Sequence, residues 1–368
     1  MKRTKEIFLL ILASILLNLA VWLPFWFGFG GGFTTIYKNY DGPNYLIVAK
    51  SWYDQTFIAH HFSLPVPVEY YPAHLPGYPL SIAFLNLFLK GPNAMLASTL
   101  IFTILATISF YLLVKKFSLS ENPFWLSLVF LVLPARWVIV KAVGSPEPLF
   151  IFAILASFYF FKSGKLFLAG IFGALAQITK SPGILLFLGY LGYSIRDFRE
   201  VKDIGKNIKK ILPLLLIPLS ALGVFLFYKI RTGDFFAYFH SGDNFHLVFP
   251  PFQSFASGRT WLGDFWREDL VWQYLLGALT VVLLFKQKLY DLACFAGIFF
   301  VATLFVAHRD LAWYSLPLVP FSLIAFDKFI QKKEFKIALL IILPAIYLYA
   351  INFISHNTAP IADWAPYL

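Results

Sequence analysis

The sequence predicts an all-α polytopic membrane protein, with about eleven transmembrane helices and surface helices in the first outer loop. Three observations predict it. Of 368 residues, 59% are hydrophobic and 13% charged, and the mean hydropathy is +0.72, outside the mix of soluble domains. Apolar runs recur along the whole chain, and basic residues cluster between alternate runs. With 43 Phe and 19 acidic residues, too little polar surface remains to coat a water-soluble globule. Soluble single-domain enzymes and disordered chains are thereby excluded. The net charge of +11 is dispersed among those clusters, so nucleic acid is not an expected partner. The single cysteine, Cys294, lies inside an apolar run, which excludes an internal disulfide and a Cys-based metal cage.

The first element is residues 7–27, an apolar run after Met1-Lys2-Arg3-Thr4-Lys5. At about 1.5 Å per residue it covers a hydrocarbon core of roughly 30 Å. Trp22, Phe25, Trp26 and Phe27 fill its far end as aromatic anchors do, where a signal peptide would carry a small-residue cleavage site. Further runs fall at 93–114, 123–140, 147–161, 166–179, 182–195, 211–230, 270–285, 290–307, 312–327 and 337–355. The segment 76–89 is brief, and Pro76 and Pro79 mark its entry; it is read as lying at, or re-entering, the membrane surface.

With 76–89 not crossing, every basic cluster lands on the side of the N-terminus. These are Lys2/Arg3/Lys5, Lys115/Lys116, Lys162/Lys165, the six basic residues from Arg196 to Lys210, Lys286/Lys288 and Lys328/Lys332/Lys333/Lys336. They carry the whole excess of +11, and the opposite face is neutral. The positive-inside rule makes the basic face cytoplasmic. The chain is then one integral-membrane domain, 1–368, with a first outer loop at 28–92, a cytoplasmic connector at 196–210 and a second long outer loop at 231–269. No tandem repeat, heptad or low-complexity tract occurs.

Polar chemistry concentrates on the neutral side. In Asp41-Gly42-Pro43-Asn44-Tyr45, Pro43 suits the first turn of a surface helix. Asp41 at its head is placed as a general base for an acceptor hydroxyl, or simply as a cap. Glu147, in Ser145-Pro146-Glu147-Pro148, opens another apolar helix. It suits the positive helix end, or a role in orienting a hydroxyl. Lys180 and the His308-Arg309-Asp310 turn put cations at the outer membrane level, where charge is costly and points to a lipid phosphate; a local pair with Asp310 is the rival reading for Arg309. His60, His61, His74 and Glu69 share one loop, but adjacent histidines diverge and no H-x-x-x-H or Cys partner exists, so no metal site is assigned. His74 is expected to line a cleft.

Taken in order, five segments resemble the GT-C-type, polyprenyl-phosphate-sugar-dependent glycosyltransferases, most closely the group related to the second mannosyltransferase of GPI-anchor assembly. Tyr40-Asp41-Gly42 through Ala49 is similar to that group's aromatic-Asp-small-x-His-Tyr-Leu-x-Ile-Ala segment, with Asn44 in place of His. Tyr71 to Pro79 resembles its Phe-Pro-Leu-Tyr-Pro block, and Ser145 to Phe150 its Ser-Glu-Ser-Leu-Phe. Thr179-Lys180-Ser181-Pro182-Gly183 resembles a Thr-Arg-x-x-Gly turn, with Lys for Arg. Arg231 to Tyr238, which contains Asp234, resembles a Gly-Asp-Pro-x-Ala-Phe loop.

The resemblance implies a GT-C-type fold, a lipid-phosphate sugar as donor, membrane lipids around the chain and a hydroxyl acceptor on a glycan, lipid or protein. It also implies transfer with inversion, mannose favoured, on the outer face. Asp41 is then the catalytic residue, and Glu147, Lys180, Arg309, His308, His74, Asn44 and Asp234 bind substrate. No cofactor is assigned; a divalent metal stays open. Two other classes stay in view. A lipid or polysaccharide transporter would need inverted repeats with discontinuous helices in matching halves, a symmetry the sequence lacks. A non-catalytic assembly subunit would show partners without turnover.

Overall fold

The computed structural model describes residues 2–39, 41–63, 66–198, 211–242, 246–255, 267–361 and 363–368. Tyr40, most of the connector at 196–210, and 243–245 and 256–266 of the second long outer loop lie outside the described residues. The described residues form helices and no strand, with two isolated bridges. The first half comprises α1 (Lys2–Trp26), α2 (Thr34–Tyr37), α3 (Gly42–Ser51), α4 (Gln55–His61), α5 (Gly77–Leu85), α6 (Pro92–Lys116), α7 (Pro123–Val132), α8 (Ala135–Val140), α9 (Glu147–Lys162) and α10 (Leu166–Thr179). The second comprises α11 (Ile184–Phe198), α12 (Leu216–Thr232), α13 (Ala237–His240), α14 (Glu268–Lys286), α15 (Tyr290–Leu304), α16 (Leu311–Tyr314), α17 (Val319–Ala325), α18 (Asp327–Ile330) and α19 (Lys333–His356).

Five stretches are long and apolar enough to cross a bilayer: Arg3–Trp26, Pro92–Lys116, Leu212–Thr232, Glu268–Lys286 and Lys333–His356. Pro123–Val132, Leu166–Thr179, Ser181–Ile195, Tyr290–Leu304 and Leu316–Ala325 are apolar but shorter. Among the described residues, helix length thus picks out five candidate spans and does not confirm the expected count of about eleven. Proline accounts for two of the differences. The run 123–140 breaks at Leu133, which is extended (φ −120°, ψ 142°) because Pro134 follows it. The run 312–327 is divided into α16, a 3₁₀ turn at Leu316–Leu318 and α17, with Pro317 and Pro320 at the junctions. The nine residues of α5 rise only about 13 Å, under half of a hydrocarbon core, so 76–89 does not cross as a helix.

The long helices turn apolar side chains outward. Ile230 on α12 is 80% exposed and Ile341 on α19 is 71% exposed, which suits a hydrocarbon solvent in which the backbone is already satisfied within each helix. By contrast α9 packs between α6 and α10, and most of its residues are buried. Phe158 on it meets Tyr190, Phe295 and Phe321 at ring distances of 5.2, 5.4 and 5.2 Å. Ion pairs Lys115–Glu6 (2.7 Å) and Lys162–Asp291 (2.5 Å) sit where α1 begins and α9 ends. The opposite end of the bundle gathers the segment after α1, the start of α9, the end of α10 and the turn before α16.

Candidate functional site

At that end, α3 holds Asp41 at its N-cap position, with Pro43 in the first turn. The carboxylate does not cap the helix: it accepts no backbone N–H there, and among the described residues it makes no hydrogen bond or ion pair. The carboxylate is half-buried. Asn44, three residues on, shares its face of the helix.

Asp41 is surrounded by rings. Tyr45 lies on the next turn of α3, its ring 4.8 Å from His74 and 5.3 Å from Tyr78, and Tyr70 is 5.2 Å from the other side of His74. Burial raises the Tyr45 hydroxyl well above its ordinary value, and the charges of Glu147 and Asp41 push it further up. Tyr70 is raised by burial and then by Asp41 and Tyr238. His74 is 3% exposed and its Nδ1 has no hydrogen-bond partner. Burial lowers its proton affinity, Asp41 and a backbone bond with Tyr71 oppose this, and Lys180 lowers it further. Asp41, His74, Tyr45, Glu147 and Lys180 therefore share one electrostatic neighbourhood.

Glu147 and Lys180 pair within it. Lys180 Nζ donates to Glu147 Oε1 at 2.5 Å, and the Ser145 hydroxyl donates to Oε2. The Glu147 side chain is 3% exposed and that of Lys180 25%. Each Glu147 oxygen thus has one protein donor, and a carboxylate oxygen can still accept a second hydrogen bond from a hydroxyl. The Lys180 ammonium, paired with Glu147, also lies 4.5 Å over the Trp313 ring. Gly42 allows this assembly, since a Cβ there would meet the Gly144 carbonyl oxygen at 3.0 Å.

A second lobe adjoins through Trp313 and Tyr314, whose rings are 5.2 Å apart. Tyr314 is 5.1 Å from His308, and His308 is 5.1 Å from His246. His246 is fixed there because its carbonyl accepts the Ala307 N–H at 2.7 Å and Val248 N–H donates to Phe305 O at 2.8 Å. The rival pair between Arg309 and Asp310 is absent. Asp310 pairs with the buried Arg136 and caps α16 through Trp313 N–H at 3.3 Å. Arg309 is exposed and, among the described residues, makes no hydrogen bond or ion pair. His308 is pushed down to about 4 by burial, then by His246, Arg309 and Arg136. Its Nδ1 accepts the Asp310 N–H at 3.0 Å, so the neutral ring carries its proton on Nε2.

Asp234 stands apart from both lobes. It accepts Phe236 N–H at 2.9 Å and faces His240 Nδ1 at 2.6 Å, bonds that shape its own loop. That loop still reaches the site through Tyr238, whose hydroxyl donates to Ser181 Oγ at 2.9 Å. His60 and His61 bond through Nδ1 to carbonyls of their own helix. Among the described residues, no three His, Cys, Asp or Glu side chains converge to hold a metal ion. Sequence reading did not assign Tyr238, Trp313 or His246 to the site; signals existed for Tyr238, which closes the segment from Arg231, and for Trp313, beside the charged 308–310 turn.

No family model matches the sequence, and none of the curated proteins matches it. Likeness is found among solved structures. The archaeal oligosaccharyltransferase AglB from Archaeoglobus fulgidus, solved with an inhibitory peptide and a dolichol-phosphate, aligns over 99% of this chain at 15% identity and a TM-score of 0.56. The chain spans 57% of the length of AglB. The S. cerevisiae protein O-mannosyltransferase Pmt1-Pmt2 complex bound to the sugar donor aligns over 71% of this chain and 37% of its own, at 16% identity and a TM-score of 0.38, a likeness too slight to define a fold. The apolar helices and the extent of the AglB match show an integral membrane protein with the same fold as AglB.

Proposed function

We propose that the chain is an inverting glycosyltransferase that moves a sugar, mannose favoured, from a polyprenyl-phosphate carrier to an acceptor hydroxyl on the outer face of the membrane. The observation that carries this reading is Asp41, half-buried at the head of α3 with no hydrogen bond or ion pair to its carboxylate among the described residues, while its neighbours Glu147 and Lys180 neutralise each other. A carboxylate left without a partner in such surroundings is available to take a proton. In the reaction, the acceptor oxygen attacks the anomeric carbon as its proton passes to Asp41. The bond from that carbon to the phosphate oxygen breaks on the opposite face, and polyprenyl phosphate leaves with the electron pair. The phosphate leaves as an anion, so one base suffices. Arg309, exposed and without an ion pair among the described residues, meets the phosphate charge, and His308 Nε2–H adds a neutral donor. Asn44 and His74 line the acceptor side.

The fold shared with a protein solved with a dolichol-phosphate supports a lipid-phosphate donor. The ordered succession of five segments supports the GPI mannosyltransferase II-like subgroup, and the one-sided basic clusters support the orientation. The test is purified protein in nanodiscs with radiolabelled polyprenyl-phosphate mannose and a set of hydroxyl acceptors. Label should transfer with inversion, and Asp41→Asn should lower the rate by about 10²- to 10⁴-fold with unchanged thermal stability. Full activity in that variant would refute the base. Uptake of lipid or glycan without product would favour a transporter.

A further inference from the structure

Residues 354–361 and 363–368 lie against the first outer loop and take hold of α3 at both ends. At its head, Asn39 is completely buried, and its Nδ2 donates to Ile354 O at 2.7 Å. Asn39 also pairs with Thr358 in an antiparallel bridge, beside which Ala359 N–H donates to Lys38 O at 2.8 Å. Lys38 Nζ donates to Ile361 O at 3.1 Å. Asn39 O in turn accepts the Gly42 N–H at 3.3 Å, so Asp41 lies between a residue held by 354–358 and the first turn of its own helix. At the far end of α3, Lys50 Nζ donates to Pro366 O at 2.8 Å.

Between these two points the segment is stacked in place. Trp364 lies between Tyr37 (6.3 Å, 15°) and Tyr367 (4.6 Å, 7°). Tyr367 is wholly buried with its ring 5.1 Å from Phe62. Gly91 admits this, because a Cβ there would stand 2.3 Å from Tyr367 O. A ten-residue helix gripped at both ends by one strap has its tilt and rotation fixed, and with them the direction of any side chain at its head. A displacement of about 1 Å at a reacting group can cost roughly 10²-fold in rate.

We infer that the 354–368 segment is a clamp that orients Asp41, with Asn39 as the positioning residue and Lys50 as the second anchor. This rests on the transferase reading only for its kinetic arm. The decisive variant is Asn39→Leu, which keeps the shape of the side chain and removes the donor to Ile354 O without burying a charge; Lys50→Met loosens the other end. Both are measured on the full chain in nanodiscs. Asn39→Leu is expected to lower kcat at least tenfold, with KM for the polyprenyl-phosphate sugar within twofold and the chain still fully folded at the assay temperature. Lys50→Met is expected to have a smaller effect in the same direction. Asn39→Gln, which restores an amide donor, should recover part of the loss.

A second arm needs no turnover. With Cys294→Ser and Asp41→Cys combined, the rate at which a charged maleimide labels position 41 reads its orientation. Adding Asn39→Leu should change that rate at least threefold, with the fold retained. Unchanged labelling together with unchanged kcat, or a loss of kcat matched by loss of the folded state at the assay temperature, would overturn the clamp. Changed labelling in a chain whose unaltered form transfers no sugar would keep the clamp and discard the transferase.

Discussion

Lys141 follows α8, completely buried, and its Nζ has no hydrogen-bond partner among the described residues. Burial alone pushes its ammonium from an ordinary value of 10.5 down to about 7. The folded chain thus releases this proton several pH units before the unfolded chain does. Between pH 7 and 10.5 the unfolded state holds more protons, so stability rises with pH across that window. The destabilisation is fully present below pH 7, fades through the window and is gone above 10.5; at pH 7 it amounts to roughly 4 kcal/mol. Lys141→Met removes the charge and keeps the length of the side chain, so it should stabilise the protein at pH 7 by up to that amount. The assay is reversible unfolding in mixed detergent and SDS micelles from pH 7 to 10, followed by far-UV circular dichroism, on both proteins. The wild type should gain stability relative to the variant by up to about 1.4 kcal/mol per pH unit, so the two curves converge toward high pH. Curves that stay parallel, or a variant less stable than the wild type at pH 7, would refute an isolated buried amine at this position.

Two other perturbations separate structural from ligand-facing charge. Arg136→Met strands Asp310, since that pair has side chains 6% and 18% exposed, and should cost about 3–5 kcal/mol in chemical unfolding. Arg309→Met, at an exposed and unpaired position, should alter stability by less than about 0.5 kcal/mol yet weaken polyprenyl phosphate binding in calorimetric titration. Gly91→Ala places a methyl 2.3 Å from Tyr367 O at a left-handed φ of +46° and should lower stability by roughly 1–3 kcal/mol, measured as the melting temperature.

What was legible in the sequence were the local features. Pro43 marked the head of α3 and hence the place of Asp41, and the 308–310 turn was recognisable as charge at the membrane level. Pairings between distant elements were not legible. Lys180 ends α10 and Glu147 begins α9, and only the antiparallel packing of those helices brings the two ends together. Arg309 and Asp310 are neighbours in sequence, which suggested a pair; but Asp310 must cap α16, and in doing so it turns toward Arg136. The span count was not legible for a related reason. Hydropathy measures how apolar a run is, and a helix such as α9, enclosed by α6 and α10, is apolar because protein surrounds it. Such a helix need not match the thickness of a bilayer.

The charge arrangement also explains why the two lobes differ in what they offer a ligand. Placing acids and bases near a hydrocarbon boundary is costly unless each is paired or reaches water. Glu147 with Lys180 and Asp310 with Arg136 meet that condition internally, and each pair is tied to a helix terminus, so they make a rigid, nearly neutral floor. Asp41 and Arg309 lack such partners among the described residues, and the first is half-buried and the second exposed. A ligand that satisfies both must bring a negative group to one and an ionisable hydroxyl proton to the other. On the proposed reading these are the carrier phosphate and the acceptor hydroxyl, so donor and acceptor are sorted to opposite lobes before any bond is made. Exchanging the two charges, with arginine at 41 and aspartate at 309, would preserve net charge but reverse that sorting. The doubly exchanged protein should therefore be inactive even if it folds, whereas a site that needed only overall neutrality would retain activity.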